Sequence, residues 1–272
     1  MNDRQWLQIY KHAKQWTIEA GERIRKMMNE TIKVTTKNHK SDLVTNVDQA
    51  VELFFLKQLE KNYPEHQLMA EEGSGRRVAS LDNIVWFIDP IDGTTNFVHK
   101  KRDFAISVGI YKEGIGYIGL IYDVMDDILY EAVKGKGAFK NGKSLRPLTH
   151  KTVALDQSML HMSHAWLLEH TIFEHHHIKR LMTMVRSIRY IGAASLEIAY
   201  VAEGIIDGYL AIKLSSWDFA AGQIILNEVD GLLFNPVDPS LNILSNQPIV
   251  ACHPDLRESL MNHLIVKKND SR

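Results

Sequence analysis

Hydrophobic residues near the N-terminus recur at steps of three and four, the spacing of an amphipathic helix. The first such pattern predicts a helix over Arg4–Met28. The second begins near Thr45 or Asn46, since both residue types favour the N-cap, and ends where Asn62-Tyr63-Pro64 interrupts it. The chain therefore opens with two helices that each bury one face.

Short segments rich in β-branched and aromatic residues dominate the middle of the chain, a composition typical of strands. These segments are IVWFID, FAISVGIY, IGYIGLIYD and ILYEAV. Clusters of Gly, Asp and Lys separate them and indicate tight turns. We predict a largely antiparallel sheet flanked by the two helices.

After about residue 150, predicted strands and helices alternate, which is the rhythm of an α/β fold. No repeat or linker separates the two parts, so we predict halves 1–150 and 151–272 packed as one compact unit. The predicted elements are a strand near SMLHMS, a helix through AWLLEHTIF and beyond, a strand at SIRYI, a helix over Ala194–Ala202, a strand at IIDGYLAI and a helix over Trp217–Val229.

Charge and composition narrow the possible partners. The 272 residues carry a formal net charge of −1 with a pI near 6.9, which argues against a general binder of nucleic acid or of anionic membranes. The N-terminus lacks the apolar core of a signal peptide, and no apolar run approaches the roughly 20 residues of a membrane span. We therefore expect a cytoplasmic protein.

The stretch WFIDPIDGTTNFVH carries an apolar strand directly into acidic residues. Trp86–Ile88 is apolar at consecutive positions, as in a strand buried on both faces, so it brings Asp89 to the edge of the sheet. Gly93 permits a sharp turn, and Thr94–Asn96 offers N–H groups at the start of a helix. The alternative is an ordinary turn, because Asp, Pro and Gly favour turns for local reasons.

Two other acidic segments favour a metal site over an ordinary turn. Glu71 and Glu72 precede a Gly-Ser-Gly loop, and Asp218 lies in the first turn of a helix that begins SSWDFAAG. Each has a simple explanation alone, since exposed acids often precede loops and a first-turn Asp complements the helix dipole. Four acids gathered at strand and helix ends would repel one another unless cations lay between them, and carboxylates of this kind suit Mg²⁺.

These motifs together resemble a known family. DPIDGTTNF, the Glu-Glu before Gly-Ser-Gly, and WDFAAG are similar to the inositol monophosphatases, magnesium-dependent and lithium-sensitive phosphatases of the sugar-phosphatase superfamily. The likeness extends through SDLVTNVDQAVE and IGAASLEIAYVAEGIIDGYLA, nearly the whole chain. It implies an α/β (α+β) fold of layered α-β-α-β-α type, a homodimer, and hydrolysis of a small phosphorylated substrate by metal-activated water.

The resemblance also implies ligands for two or three Mg²⁺ ions. Glu71, Asp89 and the backbone carbonyl of Ile91 would hold the first ion. Asp89, Asp92 and Asp218 would hold the second, and Glu71 would also help to hold a weaker third. All of these ligands are oxygens, as Mg²⁺ prefers.

Catalytic and phosphate-binding roles follow from the same resemblance. Thr94 would pair with Asp48 to orient the attacking water, and the N–H groups of Gly93 and Thr94 would cradle the phosphate. Lys37 matches a lysine of the family and is expected near the phosphate, the alternative being a simple loop position. The alternative for Asp48 is a structural role, in which an acid in the first turn of a helix complements the helix dipole.

The sequence says less about the substrate than about the metal ligands. Gly192, Ala193 and Ala194 match a small-residue loop that faces the sugar. Ala211 stands where animal inositol monophosphatases have a glutamate that binds the inositol hydroxyls. We therefore expect weaker binding of inositol. We expect activity on inositol 1-phosphate, with NADP(H) and fructose 1,6-bisphosphate left open. The alternative is a non-catalytic, metal-dependent phosphate-binding or regulatory protein on the same fold.

Overall fold

The computed structural model describes residues 3–36, 43–73, 78, 80–168 and 172–267. Within these ranges the α-helices are α1 (Asp3–Met27), α2 (Asn46–Asn62), α3 (Thr94–His99), α4 (His175–Met184), α5 (Ala194–Glu203), α6 (Ser216–Asn227) and α7 (Arg257–Met261). None of these helices is both long enough and apolar enough to cross a membrane.

The strands of the described residues form three sheets. They are β1 (Val34–Thr36), β2 (Leu43–Thr45), β3 (Gln67–Ala70), β4 (Ile84–Asp92), β5 (Ala105–Lys112), β6 (Ile115–Asp123), β7 (Ile128–Val133), β8 (Ala138–Lys140), β9 (Lys143–Ser144), β10 (Met159–Met162), β11 (Ser187–Arg189), β12 (Gly208–Leu214), β13 (Leu232–Phe234) and β14 (Gln247–Cys252).

Seven strands form the larger sheet, in the order β3-β4-β5-β6-β7-β8-β9. Only β3 and β4 run parallel; the other neighbours are antiparallel, as the sequence predicts. Alternate residues of β4 face opposite sides because side chains alternate along a strand. Trp86 and Ile88 pack with α1 and α2, whereas Val85 and Phe87 pack with α5 and α6.

The second sheet has five strands in the order β11-β10-β12-β14-β13. One face packs on α5 and α6 through Tyr209 and Ala251. The opposite face packs on α4 and α7, with Leu210 among its buried residues. Helices α5 and α6 thus lie between two sheets and further helices cover both outer faces, so the predicted α-β-α-β-α sandwich is confirmed.

The division near residue 150 stays a prediction, although the seven-stranded and five-stranded sheets fall on opposite sides of it.

One predicted helix, through AWLLEHTIF and beyond, is present only in its later part. The segment AWLLEHTIF contains a 3₁₀ turn at His164–Leu167, followed by Leu168 in an extended conformation, and the next helix is α4. Trp166 is fully buried and its indole N–H donates to the carbonyl of Leu210 at 3.0 Å. That bond ties the segment to β12, so tertiary packing overrides the helical pattern of its apolar residues.

Candidate metal and phosphate site

Strand β4 is buried along its whole length and ends in the acidic turn. Asp89 is 2% exposed and Asp92 is 6% exposed. The pairing of β4 with β5 is irregular between these two residues, and the N–H of Ile91 donates to Asp89 Oδ1 at 2.9 Å. This local turn gathers both carboxylates at the end of the strand, as the sequence predicts.

The first turn of α5 holds the second of these acids. Ala194 N–H donates to Asp92 Oδ1 at 3.0 Å, and Ser195 N–H donates to Asp92 Oδ2 at 2.6 Å. Ser195 Oγ donates to the same oxygen. Asp92 therefore joins the seven-stranded sheet to the helix layer, and its orientation depends on residues about a hundred positions away in the sequence.

Helix α6 supplies the third acid. Asp218 Oδ2 accepts from the N–H of Ser215 at 2.7 Å, within a capping box. Two glycines of the large sheet let the helix come close, because a Cβ at Gly109 would lie 2.9 Å from the amide nitrogen of Ala221 and a Cβ at Gly119 would lie 2.5 Å from the Ala221 carbonyl oxygen. These contacts set the position of α6 and hence of Asp218.

The three acids form one cluster. One carboxylate oxygen from each of Asp89, Asp92 and Asp218 lies within 4.8 Å of the other two. Burial raises the pKa of Asp89 and of Asp218 well above the ordinary value, and neighbouring carboxylates raise both further. Burial also raises the pKa of Asp92 to about 6, against the lowering effect of the bonds from Ser195.

Such a cluster fits a divalent cation. Carboxylates this close repel one another when they are ionised, and hard oxygen donors suit Mg²⁺. The carboxylate of Glu71 is among the neighbouring charges that raise the pKa of Asp89. The turn after β3 is fixed where Glu72 N–H donates to Glu52 Oε2 at 2.6 Å. The donor atoms of Asp89, Asp92 and Asp218 therefore have the chemistry that a magnesium site requires.

Asp48 and Thr94 meet beside this cluster. Thr94 Oγ1 lies 3.4 Å from Asp48 Oδ1 and 3.0 Å from the carbonyl oxygen of Ile91. The N–H of Thr45 donates to Asp48 Oδ2 at 2.9 Å in the capping box of α2. Burial raises the pKa of Asp48 to about 6, although bonds from Thr45 lower it. The structure therefore brings together the pair expected to orient water.

The predicted phosphate turn and the predicted sugar-facing loop lie against each other. A Cβ at Gly93 would lie 3.0 Å from Ala193 Cβ and 3.3 Å from the carbonyl oxygen of Gly192. Gly93 has φ +88° and Gly192 has φ +94°, the left-handed region that glycine adopts readily. Asn96 Nδ2 donates to the carbonyl oxygens of Asp103 at 2.8 Å and Ile191 at 3.0 Å, so it ties the two segments together.

The remaining predicted residues are placed as follows. Ala211 lies on β12, pairs with Ile249 and faces the α5 and α6 layer. Lys37 lies outside the described residues. Sequence reasoning missed Ser195 and Asn96, because each acts through a partner that only the folded chain brings near.

A sequence model of the inositol monophosphatase family matches residues 5–268. The chain belongs to this family. The inositol-1-monophosphatase of Bacillus subtilis (strain 168) is 40% identical over 260 residues, covering 96% of this chain and 97% of that protein. The predicted family and its enzyme class, a phosphatase, are thereby confirmed.

Solved structures agree with this membership. SaIMPase-II with 2′-AMP bound has a TM-score of 0.85 and 38% sequence identity, covering 94% of each chain. An IMPase/NADP phosphatase with Mg²⁺ and phosphate has a TM-score of 0.88 and 27% identity, covering 97% of this chain and 99% of that one. The family likeness therefore extends from sequence motifs to the complete fold.

Proposed function

We propose that this family member is a Mg²⁺-dependent phosphomonoester hydrolase acting on inositol 1-phosphate and on broader substrates such as NADP(H) or fructose 1,6-bisphosphate. The observation that carries the proposal is the cluster of Asp89, Asp92 and Asp218, two of them buried, with one oxygen from each within 4.8 Å of the other two. A related IMPase/NADP phosphatase of the same fold binds Mg²⁺ and phosphate.

The ligands proposed from the sequence suit more than one ion. Glu71, Asp89 and the carbonyl of Ile91 would hold one Mg²⁺, and Asp89, Asp92 and Asp218 a second, with Glu71 also serving a weaker third. When bound, these ions would polarise the phosphate, make a water molecule more acidic and stabilise the leaving oxygen. Hydrogen bonds from Ile91, Ser195 and Ser215 hold the carboxylates in place beforehand.

Asp48 and Thr94 would orient the attacking water. The single hydroxyl proton of Thr94 can point to Asp48 Oδ1 or to the Ile91 carbonyl. When it points to Asp48, a lone pair of Thr94 Oγ1 is free to accept a hydrogen bond from water, and as the water gives its proton to Thr94, Thr94 would pass its own proton to the Asp48 carboxylate. Asp48 is held by the cap of α2, so it would fix the direction of that transfer.

The start of α3 would bind the phosphate. Backbone N–H groups of Gly93 and Thr94 lie where a helix begins, and such groups favour anions. Gly192, Ala193 and Ala194 would face the leaving group, because the first two lie against Gly93. Ala211 presents a methyl group in place of a carboxylate, which leaves space for leaving groups larger than inositol.

A phosphate-release screen tests this function. Metal-stripped protein is given MgCl₂ and inositol 1-phosphate, NADP⁺, fructose 1,6-bisphosphate or adenosine 3′,5′-bisphosphate. We expect release from inositol 1-phosphate and from at least one other substrate. No release from any of them, with substrate binding retained, would favour a non-catalytic phosphate-binding protein, which would have no need of the Asp48–Thr94 pair.

We also propose that the protein is a homodimer, from the family resemblance, and that it is cytoplasmic, because its single cysteine cannot form an internal disulfide. Light scattering of the purified chain measures its oligomeric state, and fractionation of cells measures its location.

A further inference from the structure

Tyr190 stands beside the phosphate turn with its ring open to solvent. The residue is 53% exposed, the largest exposure among the exposed large hydrophobic residues of the described chain. Its Cε1 atom lies 3.6 Å from the position that a Cβ of Gly192 would occupy. Gly192 in turn lies against Gly93, so one residue separates the Tyr190 ring from the turn proposed to bind phosphate.

The backbone that carries this ring is held from two sides. Glu197 Oε1 accepts from the N–H of Ile191 at 2.7 Å and from the N–H of Gly192 at 3.2 Å. Asn96 Nδ2 donates to the Ile191 carbonyl at 3.0 Å. The other carboxylate oxygen of Glu197 contacts His161 Nδ1, and both of these residues are buried. Tyr190 therefore extends from an anchored segment.

The ring itself has no partner in the described part of the chain. Tyr190 makes no hydrogen bond and no ring contact with any described residue. Burial of its hydroxyl end raises the pKa of Tyr190, and the carboxylates of Glu197 and Asp92 raise it further. The carboxylates of Glu197 and Asp92 are therefore among the charges near the Tyr190 hydroxyl, while about half of the residue is exposed to solvent.

Strand β12 passes close to the segment that carries Tyr190, because Tyr209 pairs with His161, which contacts Glu197. Tyr209 and Ala211 are two positions apart on β12, so their side chains share the face that packs toward α5 and α6. A methyl group at position 211 reaches less far than a carboxylate would. A larger leaving group would therefore meet a methyl group rather than a carboxylate on this strand.

We propose that Tyr190 is a stacking platform for the base of a nucleoside 2′-phosphate substrate. The 2′ oxygen is bonded to the ribose carbon next to the one that bears the base, so phosphate and base lie close together. That arrangement matches a ring beside the phosphate turn better than a 5′-phosphate does. Every base has an aromatic face, so stacking accepts different bases. This inference rests on the proposed function, and a relative of the same fold, SaIMPase-II, binds 2′-AMP.

The test compares 2′-AMP, 5′-AMP and inositol 1-phosphate in the magnesium-loaded enzyme. Steady-state constants are measured for the wild type, Tyr190→Phe, Tyr190→Leu and Tyr190→Ala. Ile205→Ala is the matched control, because Ile205 is 47% exposed and follows the far end of α5. Light scattering follows the oligomeric state of each variant.

We expect the wild type to prefer 2′-AMP over 5′-AMP. Tyr190→Ala should lower the ratio of kcat/KM for 2′-AMP to that for inositol 1-phosphate about tenfold or more, mainly through KM, since base stacking on an aromatic ring has this scale. Tyr190→Phe should keep the ratio, Tyr190→Leu should lose most of it, and Ile205→Ala should leave it unchanged.

Other results overturn the proposal. Turnover of inositol 1-phosphate without turnover of 2′-AMP refutes the platform and leaves the proposed function standing. An equal loss on both substrates in Tyr190→Ala shows a general role for the ring, and a changed molecular mass in that variant shows that the ring covers a second copy of the chain. If neither substrate is hydrolysed, the proposed function fails as well.

Discussion

At the scale of single residues, Asp89 is the acid on which the proposed site depends most, because it would contact two ions. We predict that Asp89→Asn lowers kcat by several orders of magnitude, since the ions it helps to hold contribute several kcal/mol and about 1.4 kcal/mol is tenfold in rate. Phosphate release at saturating MgCl₂ measures this. A variant that keeps a tenth of wild-type turnover contradicts the shared ligand.

A stability control accompanies this variant. Asp89 carries a raised pKa because it is buried among other carboxylates, so the folded metal-free protein gains nothing from its charge. We therefore expect the Tm of metal-free Asp89→Asn to be no lower than that of metal-free wild type. A large drop in Tm would mean that lost activity reflects unfolding.

Ala211 carries the second prediction at this scale. Ala211→Glu should raise the ratio of kcat/KM for inositol 1-phosphate to that for NADP⁺, chiefly by lowering KM for inositol 1-phosphate. A carboxylate there would accept hydrogen bonds from sugar hydroxyls, each contributing about 1.5 to 3 kcal/mol. Steady-state kinetics on both substrates measures the ratio. No change, in a wild type already selective for inositol 1-phosphate, would show that other residues set specificity.

Residues that act through local chemistry were predictable from the sequence. Asp89 lies near the end of a buried strand and Asp218 occupies the first turn of a helix, so strand and cap patterns located both. Ser195 was not predictable, because its bond to Asp92 joins two distant parts of the chain. A functional residue can be predicted from the sequence when the residues next to it in the chain determine its position, and not when a distant segment does.

At the scale of elements, the approach of α6 to the large sheet determines where Asp218 lies. Gly109→Ala would place a Cβ 2.8 Å from Ala220 Cβ and 2.9 Å from backbone atoms of α6. We predict a loss of about 1 to 3 kcal/mol in the free energy of unfolding, as for other overpacked sites, and a weaker Mg²⁺ affinity. Urea unfolding and magnesium titration measure the two effects.

Gly208→Ala is the matched control for this element. Its new Cβ would lie 2.9 Å from Cδ2 of Leu160, the end of a side chain that can move. We expect a smaller loss of stability and an unchanged Mg²⁺ affinity, because β12 at Gly208 does not set the position of α6. Equal effects of the two variants would contradict the role given to the glycine contact.

Elements were predictable where one pattern dominated. Helix α2 begins at Asn46 because Thr45 caps it, and both the start and the end at Asn62 follow from the sequence. The helix expected through AWLLEHTIF and beyond begins only at His175, because the buried bond from Trp166 to β12 competes with the local pattern. Sheet order also depends on distant pairing, and no local pattern in the sequence reports it.

At the scale of the whole molecule, the acidic cluster couples stability to pH and to magnesium. The pKa values of Asp48 and Asp92 are raised to about 6 in the folded protein from an ordinary 3.8. Raised carboxyl pKa values stabilise the fold below the unfolded pKa, and this contribution is lost as pH rises through about 6. The metal-free protein should therefore lose stability from these groups between about pH 4 and pH 7.

Magnesium should reverse that loss, because it competes with protons for the same oxygens. We predict that saturating MgCl₂ raises Tm more at about pH 7.5 than at about pH 5. Calorimetry with and without MgCl₂ at the two pH values measures this. Equal shifts in Tm at both would contradict a site built from these carboxylates.

Lithium provides a further prediction, which follows from the family. A small monovalent ion can take a carboxylate position yet stabilises phosphate less than Mg²⁺ does. We expect millimolar LiCl to lower turnover at fixed MgCl₂. Turnover that LiCl does not lower would contradict this prediction and would set this chain apart from the lithium-sensitive members of the family. It would not change the conclusion about the fold.

The most direct test of the central claim measures phosphate release from inositol 1-phosphate by metal-stripped protein as MgCl₂ is added. If the cluster of Asp89, Asp92 and Asp218 is a catalytic magnesium site, turnover is absent without metal, rises to saturation with MgCl₂, and is abolished again by a chelator. Turnover that proceeds equally in the chelator, or a folded protein that binds Mg²⁺ and releases no phosphate, would contradict the claim.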